Sequence, residues 1–255
     1  VSFLYFADRV VQFPVALFAT SVATVFLPEL SRRSRDDHQT NSVTSDFSAG
    51  VNMVFFITIP AMTGLMALNE EVVRLLFGQG RFDDAAVIQT AQCLFFMVTG
   101  LCAFAGNRLF VTLFFAVSNY RTPCFCGLVS ICINGVLCWA LSPYFGLTGL
   151  ALSTAISAMA GFILLFINLP SSGNLLKRPV LISACRSFFL SAIMALLIDI
   201  LSKNLIPEGV GKVTLGMCIA GFILLGIGIY LVLNQLSGNP DYKLFKQVVL
   251  RKING

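Results

Sequence analysis

Seven long apolar runs, separated by short polar loops, set the terms for everything else in this 255-residue sequence. They cover roughly residues 1–30, 47–68, 88–117, 124–142, 147–169, 180–201 and 213–234. A helix rising 1.5 Å per residue needs about 20 apolar residues to cross a bilayer core. Each run meets that length, so the sequence predicts an all-α integral membrane protein of about seven transmembrane helices. Composition agrees. Charged residues make up only 11% and hydrophobic residues 57%, against roughly 25% charged residues in a soluble domain. Twelve acidic and seventeen basic side chains cannot cover the surface of a water-soluble protein of this size. The same numbers exclude disorder, coiled coil and collagen.

Prolines punctuate the runs. Pro14 lies inside the first and Pro60 inside the second, where each is expected to kink its helix. Pro123, Pro143, Pro170, Pro179 and Pro207 fall at or beside run ends, where a helix stops. The loops carry a charge bias. One alternate set holds ten basic residues, Arg32, Arg33, Arg35, Arg121, Lys177, Arg178, Lys243, Lys246, Arg251 and Lys252. The other set holds four, Arg74, Arg81, Lys203 and Lys212. By the positive-inside bias the C-terminal tail is cytoplasmic and Val1 starts near the outer face. The net charge of +5 therefore reads as attraction to a membrane surface rather than to nucleic acid. The basic tail, 235–255, is expected on anionic lipid.

The eight cysteines lie in or beside apolar stretches and are expected to behave as small hydrophobes. Cys124 and Cys126 lack a second pair, and the one histidine, His38, sits in a polar loop, so neither a metal site nor a cofactor is expected. Val1 stands in place of Met within an apolar stretch, which leads to the expectation of a C-terminal part of something longer. The segment 69–87 is predicted to hold a short interfacial helix, with Val72, Val73, Leu75, Leu76 and Phe77 as its apolar face and Gly78 and Gly80 ending it. Asp83 and Asp84 follow where the third span needs an N-cap.

Charges inside the runs need a reason, because each costs at least about 2.5–3.5 kcal/mol at mid-bilayer. Arg9 follows Phe3-Leu4-Tyr5-Phe6 and precedes Val10-Val11, which is not a loop context. Its bland explanation is an arginine reaching to the interface or paired with Asp8. Adjacent helical residues diverge by about 100°, so that pair does not shield both charges. Gln12, Ala16, Ala19 and Ala23 continue a small, partly polar stripe that either packs closely or lines a cavity. Arg108, beside Asn107, lies about 14 Å from the cytoplasmic end of its run, too deep to reach water easily. Arg186 and Asp199 lie near span ends. Asn52, Asn134, Ser153, Thr154 and Ser157 are expected to bond between helices. Arginines held in an apolar bundle point to phosphate or diphosphate, whose oxygens match the guanidinium fork. The candidate substrate-binding set is Arg9, Asp8, Gln12, Arg108 and Asn107.

Three motifs carry a resemblance. Leu4-Tyr5-Phe6-Ala7-Asp8-Arg9, running on through Gln12-Phe13-Pro14 to Leu27-Pro28-Glu29-Leu30-Ser31, resembles the MurJ/MviN family of lipid II flippases, with its YYADR-like start, Q-x-P step and LP-x-LS end. Leu76-Phe77-Gly78-Gln79-Gly80-Arg81-Phe82 is similar to the family's LF-x-x-G-x-F, and Arg121-Thr122-Pro123 to its D-x-x-TP turn. Asn119 stands where the family usually has Asp. The resemblance implies a fourteen-helix architecture of two MOP-exporter lobes with two extra helices, a cationic cavity between the lobes, a groove for the polyprenyl tail, and alternating access. It assigns residues 1–169 to five helices of the second lobe, 170–234 to the extra C-terminal pair with its lipid-tail groove, and 235–255 to the cytoplasmic tail. Arg9 falls on the family's cavity arginine, and Arg108 where members often carry a basic residue.

The function so implied is transport of lipid II, the peptidoglycan precursor, across the bacterial inner membrane. Lipid II and membrane lipids would be the partners, together with the missing N-terminal lobe. The alternatives are a related exporter of another lipid-linked oligosaccharide or a drug, and a truncated fragment that does not transport. A membrane enzyme ranks lowest. Asp36-Asp37 and Asp83-Asp84 are isolated pairs without the second acidic motif that magnesium chemistry requires.

Overall fold

The computed structural model describes residues 2–19, 40–78, 82–116, 118–169, 174–205, 211–239 and 241–242. The LPELS end of the first run, Arg32, Arg33, Arg35 and His38, Gly80 and Arg81, the side chains of Lys177 and Arg178, and the tail beyond 242 lie outside the description. Every described element is helical. They are α1 (Ser2–Pro14), a π-helical turn (Val15–Ala19), α2 (Thr40–Ala67), α3 (Asn69–Phe77), α4 (Asp84–Val98), α5 (Leu101–Ala116), α6 (Arg121–Ile167), α7 (Asn174–Leu205) and α8 (Lys212–Leu236).

Among the described residues, four helices are long and apolar enough to cross a membrane, or five if the α4–α5 pair counts as one. The 47 residues of α6 would reach about 70 Å if straight, more than twice a bilayer core of about 30 Å. The helix instead doubles back at Gly146, whose φ of 55° and ψ of −128° are not helical. Hydrogen bonds prove the fold-back. Ser130 Oγ donates to Ser157 O at 2.7 Å, and Cys138 Sγ lies 2.9 Å from Ser153 Oγ. In one straight helix Ser130 and Ser157 would sit about 40 Å apart. The outward arm (residues 121–145) and the return arm (147–167) are thus separate passes, close to the 124–142 and 147–169 spans read from sequence. Gly146 alone makes the turn, since only glycine adopts a positive φ without strain.

The run expected over 88–117 is not one helix. It breaks at Thr99–Gly100 and bends by 47° between α4 and α5. A straight helix from Asp84 to Ala116 would overshoot the hydrocarbon at about 50 Å. Gly100 marks where the backbone is pressed: a Cβ there would lie 2.9 Å from Ala155 Cα. Pro14 does more than kink its helix. It ends α1, and the chain continues as a π turn, the wider winding that tolerates a missing amide donor. Around Pro60, by contrast, α2 runs on helical to Ala67.

A short helix does form between the second and third runs, as α3. Gly78 closes it by donating its N–H to Arg74 O, and Asp83 Oδ1 caps α4 by accepting from Ala86 N at 2.9 Å. Arg74 ties the two helices together, bonding Glu70 at 3.0 Å and Asp84 at 2.7 Å. Asn119 caps the start of α6, its Oδ1 accepting from Thr122 N at 3.3 Å and Thr122 Oγ1 at 3.2 Å.

Packing is by small residues. The return arm of α6 buries Ala151, Ser153, Ala155, Ser157, Ala158 and Gly161, and it is met by Gly100 at the α4–α5 break and Gly106 of α5. A Cβ at Gly106 would lie 2.5 Å from the Phe162 ring. The last two helices do not form a detached pair, because α7 packs closely against α2. Thr63 Oγ1 donates to Ser191 O at 3.3 Å, and Tyr230 OH of α8 donates to Phe56 O at 3.0 Å. The end of α8 is a full glycine cap. Gly238 has a φ of 63°, with Asn239 N bonding Asn234 O at 3.1 Å and Gly238 N bonding Gln235 O at 3.1 Å, the paired bonds of a Schellman turn.

Two outcomes are expected. Gly100→Val should destabilise the bundle by about 1–3 kcal/mol, because Ala155 backbone cannot retreat; thermal unfolding in detergent reads this, and an unchanged midpoint refutes the close contact. Burial between α3 and the end of α7, with Glu70 and Asp199 nearby, raises the pKa of Glu71 above the usual carboxylate range, while Ser202 partly offsets it. A carboxyl raised on folding stabilises below its unfolded pKa and loses that contribution as pH climbs through its folded one. Glu71→Gln should therefore raise the unfolding midpoint, and the gain should be larger at about pH 8 than at about pH 5.

Candidate functional site

The first helix sorts its side chains cleanly. Ala7, Val10, Val11 and Pro14 are buried, at the i, i+3, i+4, i+7 spacing of one helix face, and this face packs on α4. Tyr5, Arg9, Gln12 and Ala16 line the opposite, exposed face. Two motifs far apart in sequence hold the helix in place. Phe6 packs on Phe77 with ring centroids 4.7 Å apart and on Phe82 at 5.6 Å, and Phe3 meets Phe82 at 6.2 Å. The aromatic residues of LFGQGRF thus clamp the head of the ADR helix.

Arg9 and Asp8 do not pair with each other. The Arg9 guanidinium reaches back one turn, donating from Nη2 to Tyr5 OH at 2.7 Å and lying 4.8 Å from the Tyr5 ring centroid. Asp8 is engaged separately, by Gln12 Nε2, which donates to its Oδ2. Helical side chains lean toward the N-terminus, so each long side chain meets the residue four before it. Two parallel ladders result, with cation and anion on different rungs. Gln12, expected to touch substrate, holds Asp8.

Arg108 projects from the middle of α5, about 10 Å from the helix start, and is exposed. Its side chain makes no hydrogen bond or ion pair among the described residues. Thr112 Oγ1 donates to its main-chain carbonyl at 2.8 Å. Asn107 turns the other way. Its Nδ2 donates to Ala158 O at 2.9 Å, tethering α5 to the return arm of α6, and Oδ1 is buried without a partner. The structure therefore puts Asp8, Arg9 and Gln12 on one segment with Tyr5, which sequence reasoning passed over although it stands one turn before Arg9. Arg108 is on α5, a helix joined to α1 through packing of the π turn.

Of the other polar residues expected to bond between helices, Ser153 meets Cys138 across the α6 fold, whereas Ser157 Oγ donates to Thr154 O of its own helix at 3.0 Å and Asn52 Oδ1 has no partner among the described residues. Cys138, expected as a small hydrophobe, donates to Asn134 Oδ1 at 2.9 Å and meets Ser153 across the α6 fold. Thr154 bonds only its own helix at Leu150 O. Arg186 does not reach for headgroups. It caps the C-terminus of α8, with Nη2 on Ser237 O and Nε on Ser237 Oγ at 2.9 Å, a favourable seat for a cation. Asp199 pairs with Lys203 at 2.7 Å.

Fold and site together define a polytopic all-α membrane protein with an arginine displayed on the exposed face of its first helix. The sequence profile of "Lipid II flippase MurJ" matches residues 1–215, so the chain belongs to the lipid II flippase MurJ family. It is similar to the "Probable lipid II flippase MurJ" of Vibrio cholerae, 32% identical over 93% of this chain and 46% of that one. The protein of the same description in Rhizobium meliloti is 29% identical over 98% of this chain and 48% of that one. The one from Thermotoga maritima is 32% identical over 92% of this chain and 45% of that one. A solved structure, "Lipid II flippase MurJ, inward closed conformation", shares the fold with a TM-score of 0.72 at 22% identity, covering 98% of this chain and 48% of that one. The chain spans about half the length of the relatives it matches.

Asn107→Ala should lower stability by about 1 kcal/mol through loss of the Ala158 tether while leaving affinity for anionic lipid unchanged. Thermal unfolding and lipid retention in native mass spectrometry, run on the same sample, check the two halves; loss of lipid binding alone would instead make Asn107 a lipid contact.

Proposed function

We propose that these helices serve in flipping lipid II across the bacterial inner membrane by alternating access, with no covalent bond made or broken. The diphosphate of the lipid meets Arg9, and Arg108 adds positive potential. Membership of the flippase family supports the reading. The observation that carries it is the posture of Arg9: a permanently charged guanidinium on the exposed face of α1, with a tyrosine rather than a carboxylate as its partner. Four of its five N–H donors remain for phosphate oxygens.

The rest of the reading follows the same line. Residues 1–169 act as the second lobe, facing a first lobe of similar size, and the cavity lies between them. Residues 170–234 offer the polyprenyl tail an apolar groove, supported by exposed Ile193, Leu196, Ile223, Leu224 and Ile227 on α7 and α8. The C-terminus is cytoplasmic, and the basic residues of the tail, Lys243, Lys246, Arg251 and Lys252, meet anionic lipid, in keeping with the excess of basic residues in that set of loops.

In the intact protein, Arg9→Ala should abolish growth of a flippase-depleted strain while the protein remains in the membrane at normal abundance. Arg108→Ala should weaken lipid II binding without changing retention of a neutral lipid. Normal growth of the Arg9 variant sinks the assignment.

A further inference from the structure

We infer that Tyr5 is the positioning residue for Arg9: it fixes the guanidinium on the exposed face of α1 before any anion arrives. The inference rests on the reading of Arg9 as the diphosphate contact. Tyr5 is 54% exposed, so its hydroxyl is not needed to satisfy the bundle interior. It nevertheless makes two contacts with one partner, a hydrogen bond of 2.7 Å from Arg9 Nη2 and a ring face 4.8 Å from the guanidinium carbon. Together these set the plane of the fork as well as its place. A lysine ammonium, being a point charge, has no plane to set.

The tyrosine ring is itself anchored. It stands edge-on to Phe6 with centroids 5.9 Å apart, and Phe6 is locked against Phe77 and Phe82. The chain of contact therefore runs from the α3 terminus through two aromatic rings to the cation. Asp8 does not compete, because Gln12 holds it on the neighbouring ladder. An arginine left free would lose rotamer entropy on binding, and prior ordering removes that loss from the affinity. The remaining donors then face the anion in a defined fork, the geometry that two phosphate oxygens accept.

The test is a double-mutant cycle on the intact protein in lipid nanodiscs. Farnesyl diphosphate serves as the probe, and binding is read by native mass spectrometry. Arg9→Ala, Tyr5→Phe and the double variant are compared with the parent. Tyr5→Phe keeps the ring and removes only the hydroxyl. It should weaken binding about three- to tenfold in the parent and change it by less than about twofold in the Arg9→Ala background. Residual affinity from the isoprenoid chain keeps that background measurable. An equal loss in both backgrounds, or none in either, overturns the positioning role of Tyr5. Unchanged binding on Arg9→Ala alone overturns instead the reading of Arg9 on which it rests.

Discussion

Lipid tails are as apolar as leucine, so helices in a bilayer gain little by hiding hydrophobic side chains from it. This bundle is held by what remains: close backbone approach and hydrogen bonds that cross between helices. Gly100 lies on Ala155, Gly106 lies on Phe162, and the return arm of α6 presents a run of alanine, serine and glycine to α5. Across these seams the donors Ser130, Asn107, Thr63 and Tyr230 all end on main-chain carbonyls of a neighbouring pass. A carbonyl has a second lone pair to offer after its helical bond is made. The bundle thus gains cohesion without breaking any helix.

Much of the architecture was legible in the sequence because lipid imposes a length on each pass. The fold-back of α6 showed as an interruption between apolar runs near Pro143 and Gly146, and the α3 helix with its Asp83 cap showed in local pattern alone. Local pattern was silent on the rest. The bend at Thr99–Gly100 is set by contact with Ala155, more than fifty positions away. The docking of α7 along α2 depends on Ser191 meeting Thr63, and neither residue announces the other. Asn107 and Arg108 are neighbours in sequence yet turn to opposite duties, because one residue of helix rotates a side chain by about 100°.

The same rotation orders the charges of α1. Asp8 and Arg9 look like a ready ion pair in the sequence, and side-chain direction in a helix prevents it. Each is matched to a residue one turn away, a tyrosine for the cation and an amide for the anion. The cation keeps its unspent donors, and the aromatic clamp of Phe6, Phe77 and Phe82 keeps its helix from turning. Motifs that look separate along the chain are one mechanical unit in space.

The stitching of α2 to both C-terminal helices has a mechanical corollary. Thr63 grips α7, Phe56 receives Tyr230 of α8, and Arg186 fastens α7 to the far end of α8. Three fasteners at three heights tie these helices to one another. A tilt of α2 would be passed to the other two through these bonds, like planks nailed to a beam.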